Sequence, residues 1–118
     1  MVTIARQELQ LTKHDKKVAR AIIDKGLQKE FAKGLFEADS VLHDWKNNVR
    51  DARDTYHLLY KTIKEFDKHI AARYDSMSGS KYIFTIAGQL LDGVISEADL
   101  KELSEKPRQA ILKLVHDI

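Results

Sequence analysis
The stretch LFEADSVLHDWKNNVRDARDTYHLLYKTIKEFDKHI, residues 35–70, decides the fold. Within it Leu35, Ala38, Leu42, Trp45, Val49, Ala52, Tyr56, Leu59, Ile63, Phe66 and Ile70 follow one another at spacings of three and four without interruption. A period of 3.5 held over five heptads is the mark of an apolar stripe along one side of a helix. Neither Gly nor Pro falls between Leu35 and Asp75, so the spacing predicts one long helix over about 35–75. At a rise of 1.5 Å per residue that helix is about 60 Å long, more than a domain of this size is wide. It has to pack against other helices or against a second copy.

In heptad terms Leu35, Leu42, Val49, Tyr56, Ile63 and Ile70 occupy position a, and Ala38, Trp45, Ala52, Leu59, Phe66 and Arg73 occupy position d. A parallel two-stranded zipper prefers branched residues at a and Leu at d. Here small and very large side chains alternate, with Trp45 between Ala38 and Ala52, which suits an antiparallel arrangement. The expected fold class is therefore all-α, an antiparallel bundle of four to five helices built around the long heptad-patterned helix.

Working outward, Val18, Ile22, Ile23, Leu27 and Phe31 make a second amphipathic pattern, whose drift around the axis does not join the heptad phase smoothly. A helix break at Gly34 or Gly26 is the expectation, with an uninterrupted helix from about Asp15 to Asp75 as the alternative. Residues 76–80, Ser-Met-Ser-Gly-Ser, read as a loop before short C-terminal helices, with Ser80 placed as a cap. Tyr82-Ile83-Phe84-Thr85-Ile86 has strand-like composition, but no second strand is available to pair with it, so helix is expected through Leu91. Asp92-Gly93 ends that helix, Ser96-Glu97-Ala98-Asp99 carries a capping-box pattern, and Pro107 suits a first turn. The last helix sets Ile111, Leu114, Val115 and Ile118 on one face.

The 118 residues are 43% hydrophobic and 32% charged, and no low-complexity linker divides them, which predicts a single helical domain over 1–118 with 1–12 loosely packed. Absence of Cys removes disulfides, thiolate metal sites and a Cys nucleophile, and goes with a cytoplasmic location. No apolar run reaches the roughly 18–20 residues needed to span a bilayer, and no secretory leader is recognisable. A net charge of +2 is too mild to imply nucleic acid by itself. Locally, Lys13, Lys16, Lys17 and Arg20 gather within one and a half turns, the pattern of a phosphate-backbone contact.

Asp92 to Leu100 resembles the second half of an EF-hand calcium loop. Gly88 and Leu90 stand where the first and third ligands belong, however, and Asp99 where the loop closes on Glu, so a helix start is expected and no metal. Asp39/His43, Asp54/His57 and Glu65/His69 form helical pairs, but His43 and His57 both fall at heptad position b, opposite the stripe, and read as surface residues. Phosphate-cradling and nucleophile-elbow motifs are absent, and no cofactor is expected. Arg50 and His57 resemble the Arg-x(4–6)-His signature of HEPN-type ribonucleases, themselves helical bundles. The resemblance implies that Arg50 orients a phosphate and His57 assists proton transfer at the RNA 2′-hydroxyl.

A helix rich in core-forming residues and decorated with charge serves protein association more readily than catalysis. The expected function is a small, non-enzymatic interaction or regulatory module that binds a protein partner or itself. Its expected interface residues are Trp45, Tyr56, Leu59 and Phe66. Nucleic-acid binding through Lys13, Lys16, Lys17 and Arg20 is the alternative, and the HEPN-like ribonuclease comes third.

Overall fold
The computed structural model describes residues 11–117. Among them the chain is all-helical: α1 (Lys13–Lys46), α2 (Ala52–Tyr74), α3 (Tyr82–Leu91) and α4 (Glu105–His116), with two 3-10 segments at Gly79–Lys81 and Glu97–Leu100. The predicted long helix over 35–75 is two helices, and the longest element lies earlier, over Lys13–Lys46. The break is at 47–51, not at Gly26 or Gly34, and the alternative of one helix from Asp15 to Asp75 fails at the same place.

The reason is a helix stop that uses Asn in place of Gly. Asn48 takes φ 62°, the left-handed region that Asn tolerates better than other residues with a Cβ. Its N–H reaches the Trp45 carbonyl at 3.0 Å, and the N–H of Val49 reaches the Asp44 carbonyl at 2.8 Å. These are the paired bonds of a Schellman motif, which satisfy carbonyls the helix end leaves free. Three residues later Asp51 starts α2, its carboxylate accepting from the Asp54 N–H at 2.8 Å.

The two glycines serve packing. A Cβ on Gly26 would lie 2.2 Å from Gln89 Nε2, and one on Gly34 would lie 3.1 Å from the Phe66 ring. Each lets another side chain approach the α1 backbone, a role that carries no local stop signal.

The described residues divide into two compact units, both of which use part of α1. One takes the residues up to Leu27 together with those from Ser76 on. Its core is Leu11, Ala19, Ile22 and Ile23 with Tyr82, Ile83, Ile86, Ala87, Ile95, Leu100, Leu103 and Ile111, all buried. Helix α3 is apolar nearly all round, so it buries Tyr82, Ile83, Thr85, Ile86, Ala87 and Gln89 together. Its β-branched run is helical because burial on several sides outweighs the modest strand preference of those residues. Asp92-Gly93 stops α3 as expected, Gly93 taking φ 73° with Val94 N–H reaching back to the Gln89 carbonyl. Pro107 falls in the first turn of α4.

At the start of the unit, Thr12 Oγ1 accepts from the Asp15 N–H at 3.1 Å and so caps α1. Residues 1–10 of the stretch expected to pack loosely lie outside the described residues, while Leu11 is buried. The expected cap at Ser80 is not made: Ser80 sits within the 3-10 segment, its hydroxyl 3.0 Å from that of Ser78. Ser96, by contrast, forms the expected capping box with Asp99.

Two carboxylates on this unit hold its segments together. Burial pushes the Asp15 carboxyl up, but hydrogen bonds from the Ser104 N–H and hydroxyl and from Thr12, with His14 nearby, outweigh it and leave the group below its ordinary value. Lys25, donating at 2.5 Å, and the Ser96 N–H hold Asp99 down to about 2. Both groups are depressed relative to the unfolded chain, so their stabilisation is complete above the ordinary carboxyl range and is lost as pH falls through the folded values. Thermal midpoints should therefore drop below about pH 4, and Asp99→Asn, which cannot titrate, should make that drop shallower. An equally steep acid limb in Asp99→Asn would show that Asp99 is not one of its causes.

Candidate functional site: the hairpin Gln28–Asp75
The second unit is an antiparallel hairpin made from the C-terminal part of α1 and the whole of α2. Its two sides differ in chemistry. At ~100° per residue, Glu30, Lys33 and Glu37 share one flank of α1, and Thr62, Glu65 and His69 share the matching flank of α2. With Phe66 these side chains line a groove of about 330 Å³.

At one end of the groove Glu30 is buried, its side chain 6% exposed, and it binds three residues of α2. His69 Nε2 lies 2.8 Å from Oε1, Arg73 Nη1 donates to the same oxygen at 2.7 Å, and the Tyr74 hydroxyl donates to Oε2. Burying a carboxylate is tolerable only when charge and hydrogen bonds meet it, and here both oxygens are engaged. Arg73 and Tyr74 sit in the last turn of α2, so Glu30 fixes the register of the two helices. A carboxylate held by Arg, His and Tyr at once acts as a lock between helices. His69, the more exposed of the bound side chains, borders the groove.

The opposite side of the hairpin is apolar. Phe31, Leu35, Leu42 and Trp45 fall within about a quarter turn of one another on α1, as do Tyr56, Leu59, Ile63 and Ile70 on α2. Because the helices are antiparallel, both stripes lie on the side away from the groove. The heptad pattern runs through the turn at 47–51 for this reason, since both helices present the same face. Along the stripe Ala38, Leu42, Leu59, Phe66 and Ile70 are half-buried, whereas Leu35, Trp45, Tyr56 and Ile63 are 68%, 42%, 74% and 40% exposed, so a and d residues occur in both sets. Within 28–75 the buried residues are Glu30, Gly34 and Thr55, and every buried apolar side chain among the described residues belongs to the other unit.

No known family, curated protein or solved structure matches the chain.

Of the four interface residues read from the sequence, Tyr56 and Trp45, which is 42% exposed, lie on the open apolar side. Leu59 and Phe66 are partly turned into the seam, and Phe66 covers Gly34. Phe31, Leu35, Tyr60 and Ile63 complete the face. Leu35 and Ile63 belong to the a positions of the heptad, whereas Phe31 falls at d and Tyr60 at e, so the heptad letter alone does not mark the exposed face.

Arg50 lies in the turn, with Nη2 3.7 Å from Asp44 Oδ2 and Nη1 buried without a partner. His57 is exposed on α2, its ring edge-on to Tyr56 at 6.2 Å, and no hydrogen bond or ion pair joins it to Arg50. Lys13, Lys17 and Arg20 are exposed at the start of α1 and Lys16 is half-buried, its Cε facing Gly79. Among the described residues no helix is long and apolar enough to cross a membrane, and no three His, Asp or Glu side chains gather as they would around a metal ion.

Proposed function
We propose that this chain is a small, non-enzymatic protein interaction or regulatory module that associates with itself, and that its working surface is the apolar side of the hairpin Gln28–Asp75. One observation carries the reading. The hairpin buries none of its apolar side chains fully, yet exposes Phe31, Leu35, Trp45, Tyr56, Tyr60 and Ile63 along one side, while Phe36, also 74% exposed, lies on another face of α1 beside Lys29 and Lys33. Two helices with no buried apolar core are short of what a stable helical layer needs, and contiguous exposed apolar surface is where proteins bind one another. The cysteine-free composition fits a reducing, cytoplasmic setting for such a module.

Tyr56→Glu tests the assignment. Tyr56 is 74% exposed, so a carboxylate there is accommodated by the isolated chain but not in a covered interface. The expected result is unchanged helicity by circular dichroism and self-association weakened by about tenfold or more. Self-association of unchanged strength, with the fold intact, would remove this face from the proposal.

Exposure of Lys13, Lys17 and Arg20 supports nucleic-acid binding as the second reading. Binding of a generic duplex that falls steeply with salt and is lost on neutralising those residues would favour it over the first.

A further inference from the structure
Phe31, Leu35 and Trp45 on α1 and Tyr56, Tyr60 and Ile63 on α2 expose between 40% and 74% of their surfaces. Together they present on the order of 700 Å² of mostly apolar surface, close to the ~800 Å² that each partner contributes to a standard stable interface. We propose that a second copy of this chain covers this face, the two hairpins meeting about a two-fold axis to close a four-helix bundle. The inference rests on the self-association reading and adds its geometry, a two-fold pairing of whole hairpins.

The hairpin's own composition selects that occupant. It lacks two helices of a bundle, and an identical hairpin supplies two helices with the same apolar stripe and the same heptad spacing. A two-fold interface uses one patch twice and closes on itself. Charges of both signs border the patch, with Asp39 and Lys46 on α1 and Arg53 and Asp67 on α2, so a like-charged rim does not repel a second copy. Large side chains at the two ends, Trp45 with Tyr56 and Phe31 with Leu35, flank the small Ala38, which gives room for interdigitation across the axis.

The natural absence of cysteine makes the test direct. Leu35→Cys places a single thiol on the apolar face, where 68% exposure leaves the fold undisturbed, and Lys33→Cys places one on the groove side as a control. With a short bismaleimide at low protein concentration, Leu35→Cys should give a covalent species of twice the 13.6 kDa chain mass, and Lys33→Cys should stay at the single mass. Equal linking of both variants, or of neither, overturns the second-copy assignment. Binding of a solvatochromic naphthalenesulfonate dye then separates the two levels of inference. A dye signal that Tyr56→Glu abolishes, with no cross-link in Leu35→Cys, overturns self-association together with the two-fold pairing and leaves the apolar side as an interaction face for a different protein. Absence of both cross-link and dye signal overturns the interaction reading as well.

Discussion

Glu30→Ala is expected to lower stability by about 3 kcal/mol, the low end of what breaking a buried ion pair costs. Three α2 side chains lose their shared acceptor at once, and Arg73, only 14% exposed, loses its carboxylate counter-charge. Other contacts of Arg73 and Tyr74 persist, which keeps the loss from the upper end of the range. Glu30→Gln retains an acceptor oxygen and the shape but no charge, so a smaller loss of about 1–2 kcal/mol is expected. The damage should be local. The hairpin has no buried apolar residues to fall back on, so backbone amides of residues 28–46 and 52–74 should lose hydrogen-exchange protection before those around Ile86 and Ile111, which are fully buried. A stability within about 0.5 kcal/mol of the parent would contradict the role given to this cluster.

Gly26→Ala should also destabilise, although alanine is the better helix former by nearly 1 kcal/mol. The new methyl would stand 2.2 Å from Gln89 Nε2. A surface glutamine would swing aside, but Gln89 is 0% exposed and donates to the Ile23 carbonyl at 3.1 Å. Overpacking a core costs about 1–3 kcal/mol, and displacing a buried amide from its acceptor adds to this, so a net loss of about 2 kcal/mol is expected after the propensity gain. Urea titration should show a lower midpoint with an unchanged slope. Adding Gln89→Ala removes the obstacle, so the double variant should be less destabilised than the sum of the single ones. Strict additivity would mean that Gly26 and Gln89 do not share the space between them.

The stripe from Leu35 to Ile70 was legible as an amphipathic pattern because period and phase are properties of spacing alone. The turn inside it was not legible for the same reason. Asn47 to Asp51 interrupts the helix without disturbing the phase, since both arms of the hairpin show one face, and the stop rests on Asn48 in the left-handed region in place of a Gly or Pro. Asn48 followed by Asp51-x-x-Asp54 is a stop and a start in sequence, but it is weak beside five uninterrupted heptads. Gly26 and Gly34 sent the expected break to the wrong place, because a glycine that admits a neighbour's side chain and one that ends a helix look alike until the neighbour is known. Ser96 with Asp99 and Pro107 were readable because caps and first turns depend on residues a few positions apart.

The Glu30 lock shows where such reading stops. Glu65/His69 was visible as a helical pair, whereas the acceptor that His69 uses is Glu30, 39 residues away and reached only through the hairpin register. Trp45 and Tyr56 were found as interface residues because they are large members of the stripe. Leu35 and Ile63 were not singled out, because in a single long helix every member of the stripe is equivalent, and only the hairpin decides which of them stay exposed.

The measurement closest to the central claim is the solution mass of the unmodified chain, by light scattering after size exclusion over a wide range of concentrations. Coverage of the hairpin's apolar side by a second copy predicts a species of twice the 13.6 kDa chain mass that falls toward the single mass on dilution or in Tyr56→Glu. A chain that stays at the single mass at every concentration would contradict it.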